Sequence, residues 1–359
     1  MVATTTNNSI NPTMKITTTN IATFGMALLQ SATAQNSSYG ADNFYRSNNV
    51  TIWPISFPTI YHTTIAANLF LPDTLDHSTN HSAIIVSHPM GAVKEQSANL
   101  YATKMAEQGF IAVSIDLPSY GGSQGLPLNN VNPDMYAEAI SAAVDYLGLQ
   151  SYVDRRRIGA IGICGSGSFV ISAAKIDPRI AAVATSSMYD MGAVNRDGLE
   201  HSQNLQQRKE LIAQAAEQRW IEAAGGEVEY NLGTPLRLTN SSTAVDAEFY
   251  DFYRTSRGEV TPPGSAPNIT TARTTTSNAK FMNFYPFNDI ETISPRHMLF
   301  IAGDIAHSRE FSADAYARAA EPKEIIWVPG AGHADLYDRV DLIPFSRLFE
   351  FFRTSLPSQ

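Results

Sequence analysis

The sequence predicts an α/β fold: a mostly parallel sheet with helices on both faces and an inserted helical cap. Three observations predict it. Strand-length apolar runs alternate with stretches of helical spacing over residues 83–190 and again over 297–354. That alternation buries a parallel sheet between layers of helix. Between the two blocks, over residues 192–290, the alternation stops. Finally, 43% of the 359 residues are hydrophobic and 16% charged, which supplies a large core.

Taken in order, residues 50–57 and 60–71 read as an antiparallel pair at the sheet edge. Residues 83–87 form a short apolar run suited to a buried parallel strand. Residues 95–108 carry helical spacing through Leu100, Met105 and Ala106 and stop at Gly109. A strand at 110–115 leads into the turn-rich segment 116–125. A helix follows at 133–148, with Asp134 available as its cap and Met135, Ala139, Ala142, Ala143 and Tyr146 on one face. Residues 157–163 form a strand that runs into Cys164-Gly165-Ser166-Gly167, a helix continues to about Lys175, and 180–186 is the next strand. The segment 192–290 has helical stretches at 203–224 and 243–256, a Pro/Gly/Thr-rich connector at 258–277, and aromatics such as Tyr230, Phe249, Tyr253 and Phe284. Inserted late in such a sheet, it caps the carboxyl ends of the strands, where ligands bind. Its aromatics either line an apolar pocket or pack the cap itself. Strands at 297–302 and 324–328 and helices at 309–320 and 342–354 complete the pattern. The core therefore comprises residues 35–191 and 291–359, with 192–290 as the cap.

Net charge is −9, from 25 Lys and Arg against 34 Asp and Glu, and no basic stripe offsets it. Nucleic acids and anionic membranes need clustered cations, so neither is expected as a partner. The single cysteine, Cys164, excludes an intrachain disulfide and a zinc site built on several thiolates. No metal or organic cofactor is expected: there is no phosphate-binding Gly loop with its Lys and no His-Glu-x-x-His helix. Near the amino terminus, Met14-Lys15, an apolar run over 21–29 and Ala32-Thr33-Ala34 read as a signal segment over residues 1–34, with a start at Met14 and cleavage after Ala34. The run is too short to span a bilayer, so stable membrane insertion is not expected. The expected location is secreted or periplasmic, and cytoplasmic if the segment is not a signal. A homodimer is compatible with the sequence.

The sharpest chemical signal is Gly159-Ala160-Ile161-Gly162-Ile163-Cys164-Gly165-Ser166-Gly167. A buried strand ends in small-x-nucleophile-x-small and turns at once into a helix. The nucleophile of such an elbow sits in a strained turn, so the residues two before and two after it must be small. Gly162 and Ser166 fill those places around Cys164. The helix N-terminus then aims free N–H groups at the site, favouring a thiolate and the oxyanion formed on attack, with Gly165 a donor. A second register makes Ser166 the nucleophile. Pocket residues expected here are Ser166, His88, His307 and Tyr120, the last on the tight turns of Asp116–Ser123. The base is expected late in the chain, and Gly330-Ala331-Gly332-His333 presents His333 after the last strand. The orienting acid should lie between the two, as Asp304 or else Asp190. A second oxyanion donor is expected from Met90 or Gly91, because Pro89 has no N–H.

These pieces resemble the α/β-hydrolase superfamily, and within it the dienelactone-hydrolase-like branch that includes bacterial polyketide-transferase-like hydrolases. The carrying text is His88-Pro89-Met90-Gly91-Ala92-Val93-Lys94-Glu95-Gln96, Gly162-Ile163-Cys164-Gly165 and Gly332-His333-Ala334-Asp335-Leu336-Tyr337-Asp338. The resemblance covers roughly residues 48–354. It implies an eight-stranded sheet and a Cys-His-acid triad in which Cys164 is the nucleophile and His333 the base. Many members place the acid three residues after a glycine such as Gly303, a position that is Ala306 here. The implied activity is hydrolysis of a carboxylic ester, lactone or thioester through an acyl-enzyme. The alternatives are acyl transfer on the same scaffold and a catalytically silent small-molecule-binding protein.

Overall fold

A computed structural model describes residues 40–356. The signal segment expected over residues 1–34 lies outside the described residues. Eight strands form one sheet, and a two-stranded ribbon lies apart from it. In chain order they are β1 (Val50–Pro58), β2 (Thr64–Pro72), β3 (His81–Ser87), β4 (Ile111–Ile115), β5 (Val153–Ile163), β6 (Ile180–Ser186), the ribbon strands β7 (Tyr230–Asn231) and β8 (Arg273–Thr274), β9 (His297–Gly303) and β10 (Lys323–Val328). The order across the large sheet is β1-β2-β4-β3-β5-β6-β9-β10. β1 and β2 pair antiparallel at the edge, β2 runs antiparallel to β4, and every other pair is parallel. Parallel strands must be covered on both faces, which explains the unbroken apolar reading of Ile84, Ile85 and Val86 and of Ile111, Ala112 and Val113, all without exposure.

Helices supply the cover. α1 (Ala98–Glu107) lies against α10 (Phe345–Ser355) through Tyr101 and Phe345, ring centroids 5.1 Å apart. α2 (Pro133–Gly148) lies against α3 (Ser166–Ile176) through Tyr136 and Phe169, 4.9 Å apart. α1 starts three residues later than its spacing predicts, because the chain through Ser97, at φ +71°, is a turn. The cap of α2 is Asn132, which accepts the Met135 N–H, rather than Asp134. Pro133 takes the first helical position, where a missing N–H costs nothing, and this pushes the cap one residue back.

Between β6 and β9 the chain adds no strand to the large sheet. It forms α4 (Met191–Asp197), α5 (Leu205–Ala223), α6 (Ala244–Tyr253), the short α7 (Thr275–Asn278) and the β7–β8 ribbon. α5 and α6 each begin with a reciprocal capping box, Asn204 with Gln207 and Thr243 with Asp246. The ribbon was not legible in the sequence: two residues per strand give no periodicity. α8 (Arg309–Arg318) and α9 (Asp335–Asp338) complete the elements.

Candidate active site

Cys164 follows β5 directly and has φ +55°, a left-handed conformation that a side chain adopts only under constraint. The constraint is visible. Its N–H donates to the Ser186 carbonyl at 2.9 Å, and its own carbonyl accepts from Gly167 and Tyr189, each at 3.0 Å. Gly162 is small because α3 starts against it: a Cβ there would lie 2.3 Å from the Ser166 carbonyl oxygen. Ser166 is the first residue of α3 and has no exposure. Its hydroxyl is 2.9 Å from Ser87 Oγ and donates to the His88 carbonyl, so the second register buries its oxygen within the protein rather than facing the cavity.

The electrostatics of the thiol differ from expectation. Burial is the dominant influence and raises the Cys164 pKa to about 11. Interactions with the Tyr337 hydroxyl and the N–H groups of Gly165 and Met90 pull the other way but do not win. The helix N-terminus therefore does not produce a resting thiolate, because desolvation of the sulfur outweighs it.

His333 follows β10 on a loop that crosses the end of β9. The crossing requires Gly303, where a Cβ would lie 2.0 Å from the Ala331 carbonyl oxygen. The imidazole is fully buried. Its Nε2 is 2.9 Å from the Tyr337 hydroxyl and its Nδ1 is 2.5 Å from Ser308 Oγ. Tyr337 is four residues further on, at the spacing that brings two side chains together across one helical turn. It lies between the thiol and the imidazole: its hydroxyl meets His333 and also interacts with Cys164. Burial holds the His333 pKa well below the ordinary imidazole value. Nearby His307 adds to the effect and the Glu248 carboxylate opposes it. The resting pair is a neutral thiol and a neutral imidazole.

Neither expected acid bonds to the His333 ring. Asp304 accepts the Gly330 N–H at 2.7 Å and so braces the loop that carries His333. Asp190 caps α4 by accepting the Ala193 N–H at 2.7 Å. Ala306 is buried, and the contact with Nδ1 comes instead from Ser308. The carboxylate beside His333 belongs to Glu248, on α6. Its Oε1 accepts the Ala334 N–H at 2.7 Å and its Oε2 lies 3.0 Å from His307 Nδ1. The His307 ring lies over that of His333, centroids 4.7 Å apart. Burial pushes the Glu248 carboxyl up, but its bond to His307, the charge that the His333 and His307 rings carry when protonated in acid, and the Ala334 N–H bring it down to about 2. It is an anion at neutral pH.

Cys164 opens on a cavity of about 180 Å³, whose lining includes Met90, Tyr189, Met191, Phe249, Tyr253 and Tyr337. Some aromatics of the segment between β6 and β9 thus line the pocket, whereas Phe281 and Phe284 pack against Phe169 of α3. Gly91 and Tyr120 border a neighbouring, smaller pocket, and the Tyr120 hydroxyl donates to the carbonyls of Asn129 and Ala272. His88 is fully enclosed: Nδ1 donates to the Pro89 carbonyl at 2.8 Å and Nε2 accepts the Leu117 N–H at 3.1 Å. Burial lowers its pKa to about 4, and it acts as a neutral tie between two loops. Sequence reasoning missed Tyr337, Ser308 and Glu248. Tyr337 was detectable from its spacing to His333. Glu248 lies 86 residues from the N–H it binds and gave no local signal.

A strained strand-to-helix elbow after a central parallel strand, with a histidine presented after the last strand, is the arrangement of an α/β hydrolase. The chain belongs to the alpha/beta hydrolase family, whose model matches residues 69–343. The uncharacterized protein PA2218 of Pseudomonas aeruginosa is 45% identical over 300 residues, 83% of this chain and 79% of that protein. Its crystal structure matches with a TM-score of 0.82, at 42% identity, over 90% of this chain and 98% of that one. The uncharacterized protein YcjY of Escherichia coli is 32% identical over 81% of this chain and 93% of its own length. The polyketide transferase claH of Penicillium crustosum is 23% identical over 70% of this chain and 79% of that protein. The recognised branch thus includes relatives named for polyketide transfer.

Proposed function

We propose that the protein hydrolyses carboxylic esters, lactones or thioesters through an acyl-enzyme on Cys164. The observation that carries this reading is the line formed by Cys164, the Tyr337 hydroxyl and His333 Nε2, with Ser308 on the far nitrogen. In this reading Nδ1 keeps the proton and donates to Ser308 Oγ, so that the Nε2 lone pair faces the Tyr337 hydroxyl. As sulfur bonds to the acyl carbon, the thiol proton passes to the Tyr337 oxygen while the Tyr337 proton passes to Nε2. Proton transfer accompanies attack, because a thiol near 11 and an imidazole below its usual range cannot form an ion pair beforehand. The carbonyl oxygen becomes an oxyanion between the N–H groups of Gly165 and Met90. Its collapse breaks the bond to the leaving group, which takes a proton from His333. Water then attacks the thioester and gives a proton to His333. Collapse breaks the bond to sulfur and releases the acid, and the expelled sulfur takes that proton back from His333 through Tyr337, which restores the neutral thiol and imidazole. The ionised Glu248 stabilises the transient imidazolium from the side of the cap.

Mass spectrometry after rapid quenching with a short-chain aryl ester tests this directly. An acyl mass on the peptide containing Cys164 is expected. Turnover with no adduct there, and an adduct on another residue, would sink the proposal. A second prediction isolates the relay. Tyr337→Phe is expected to lower kcat by about 10²-fold, the usual scale of general acid–base catalysis, with little change in KM. An unchanged kcat would mean that His333 reaches the sulfur without the phenol.

A second reading, acyl transfer to an alcohol or amine instead of water, is favoured by the name of claH. The acyl-enzyme is common to both. Product analysis with added acceptors separates them.

A further inference from the structure

The cavity in front of Cys164 contains a cation without a counterion. Arg273 opens β8, its backbone held by Asn231 of β7, and it lines the cavity with Cys164. Two nearby arginines show how this protein normally accommodates an enclosed guanidinium. Arg257 pairs with Asp338 and Asp251, each at 2.7 Å. Arg254 donates to the carbonyls of Thr234, Pro267 and Thr270 and so staples the cap's loops. The Arg273 guanidinium, by contrast, makes no hydrogen bond or ion pair among the described residues; its Nε, like that of Arg254, is buried without a partner. The ionisable groups around it are Tyr120, Tyr136, Cys164 and Tyr189, three phenols and a thiol that are neutral at pH 7, rather than carboxylates.

Two further residues with unpaired polar groups line the same space. Thr234 and Thr271 line the cavity and are 1% and 5% exposed, and the Oγ1 of each is buried with no partner. Buried polar groups are nearly always paired, and a half-buried cation with no counterion is also unfavourable. Three unpaired groups around one cavity, one of them a guanidinium, form a set of donors awaiting acceptors. A guanidinium fork matches a carboxylate bidentately, and two hydroxyls can donate to the same oxygens. The protein has a net charge of −9, so an anionic substrate is repelled at long range and needs a local cation to hold it.

We infer that Arg273, Thr234 and Thr271 form a carboxylate subsite, and that the substrate is a half-ester or half-thioester of a short dicarboxylic acid, its free carboxylate on the acyl portion. The cavity volume, about 180 Å³, limits the length: a cavity of about 150 Å³ holds a benzene ring. Met90, Met191 and Phe249 would border the methylenes between the two carboxyl groups. The position of the reacting carbonyl rests on the acyl-enzyme proposed above, whereas binding of the carboxylate does not.

The test uses matched esters and a ligand that cannot react. p-Nitrophenyl hemiadipate is compared with p-nitrophenyl hexanoate, which lacks the charge, and with 4-(hexanoyloxy)benzoate, which carries it on the leaving group. The wild-type protein is expected to prefer the hemiadipate over the hexanoate by about 100-fold in kcat/KM, the scale of a charge-assisted bidentate contact. Arg273→Gln is expected to abolish that ratio and Arg273→Lys to restore part of it. Equal rates on hemiadipate and hexanoate in the wild-type protein overturn the subsite, and preference for the benzoate overturns its assignment to the acyl side. Calorimetry with adipate, against neutral adipamide, reads the subsite without chemistry. Arg273-dependent adipate binding with no ester turned over would keep the subsite and refute the hydrolase reading. Ester turnover with no adipate binding would do the reverse.

Discussion

Cys164→Ala is expected to lower kcat/KM for a short-chain aryl ester or thioester by about 10⁴-fold or more, the usual cost of removing a nucleophile that acts with its base as a unit. The expectation follows from where the sulfur sits. The elbow holds it at φ +55° on the cavity wall, with the N–H groups of Gly165 and Met90 facing it. No other side chain on that wall combines a nucleophilic atom with a hydrogen-bonded route to His333. Tyr337 has the route, but burial raises its phenol far above the pH range in which it could serve as a nucleophile. Ser166→Ala is the matched control. Its hydroxyl donates to the buried His88 carbonyl, so its loss should cost stability, about 1–3 kcal/mol, rather than the acyl-enzyme step. Kinetics of both variants, with urea titrations of each, separate the two effects. Activity that survives in Cys164→Ala but disappears in Ser166→Ala would move the nucleophile to Ser166.

Alkylation of Cys164 by iodoacetamide is expected to be slow at pH 7 and to accelerate about tenfold per pH unit until the rate levels near pH 11. Only the thiolate reacts, and with a pKa of about 11 its fraction at pH 7 is about 10⁻⁴. The sign is fixed by the cause: burial disfavours the charged form, which for a thiol raises the pKa. The same burial disfavours the charged imidazole and lowers the pKa of His333, so the base remains competent down to pH values below 6.5. The acid limb of kcat/KM should therefore lie below pH 6.5. A rate of alkylation already level at pH 7–8 would reveal a resting thiolate–imidazolium pair and overturn the concerted proton transfer. The helix N-terminus, read from the sequence, argues for such a pair. The packing of Met90, Tyr253 and Tyr337 around the sulfur argues against it, and desolvation is the larger influence.

The placement of Cys164 at the elbow and of His333 after the last large-sheet strand was legible because both depend on local rules. An elbow needs small neighbours at fixed offsets, and these are printed as Gly162, Gly165 and Ser166 around Cys164. A histidine after the final strand needs only a Gly-rich loop. The eight-stranded sheet was legible for a similar reason: parallel strands buried on both faces write themselves as apolar runs, as in Ile84-Ile85-Val86. The carboxylate near the base was not. The argument from chain order led to Asp304 and Asp190, and both are spent on backbone N–H groups. Glu248 reaches the neighbourhood of His333 from α6, in a segment whose placement depends on packing rather than on any pattern within it.

By itself, the amino-acid order of this protein determined the α/β architecture, the elbow at Cys164 and the loop that delivers His333, because each is set by contacts between residues close in the chain or by strict periodicity. Only the tertiary structure decided the ionisation of the thiol, the interposed Tyr337, the hydroxyl of Ser308 where an acid was expected, and the unpaired Arg273. These depend on what surrounds a group in space. Burial and the nearness of charge are properties of the folded neighbourhood, and segments far apart in the chain supply them.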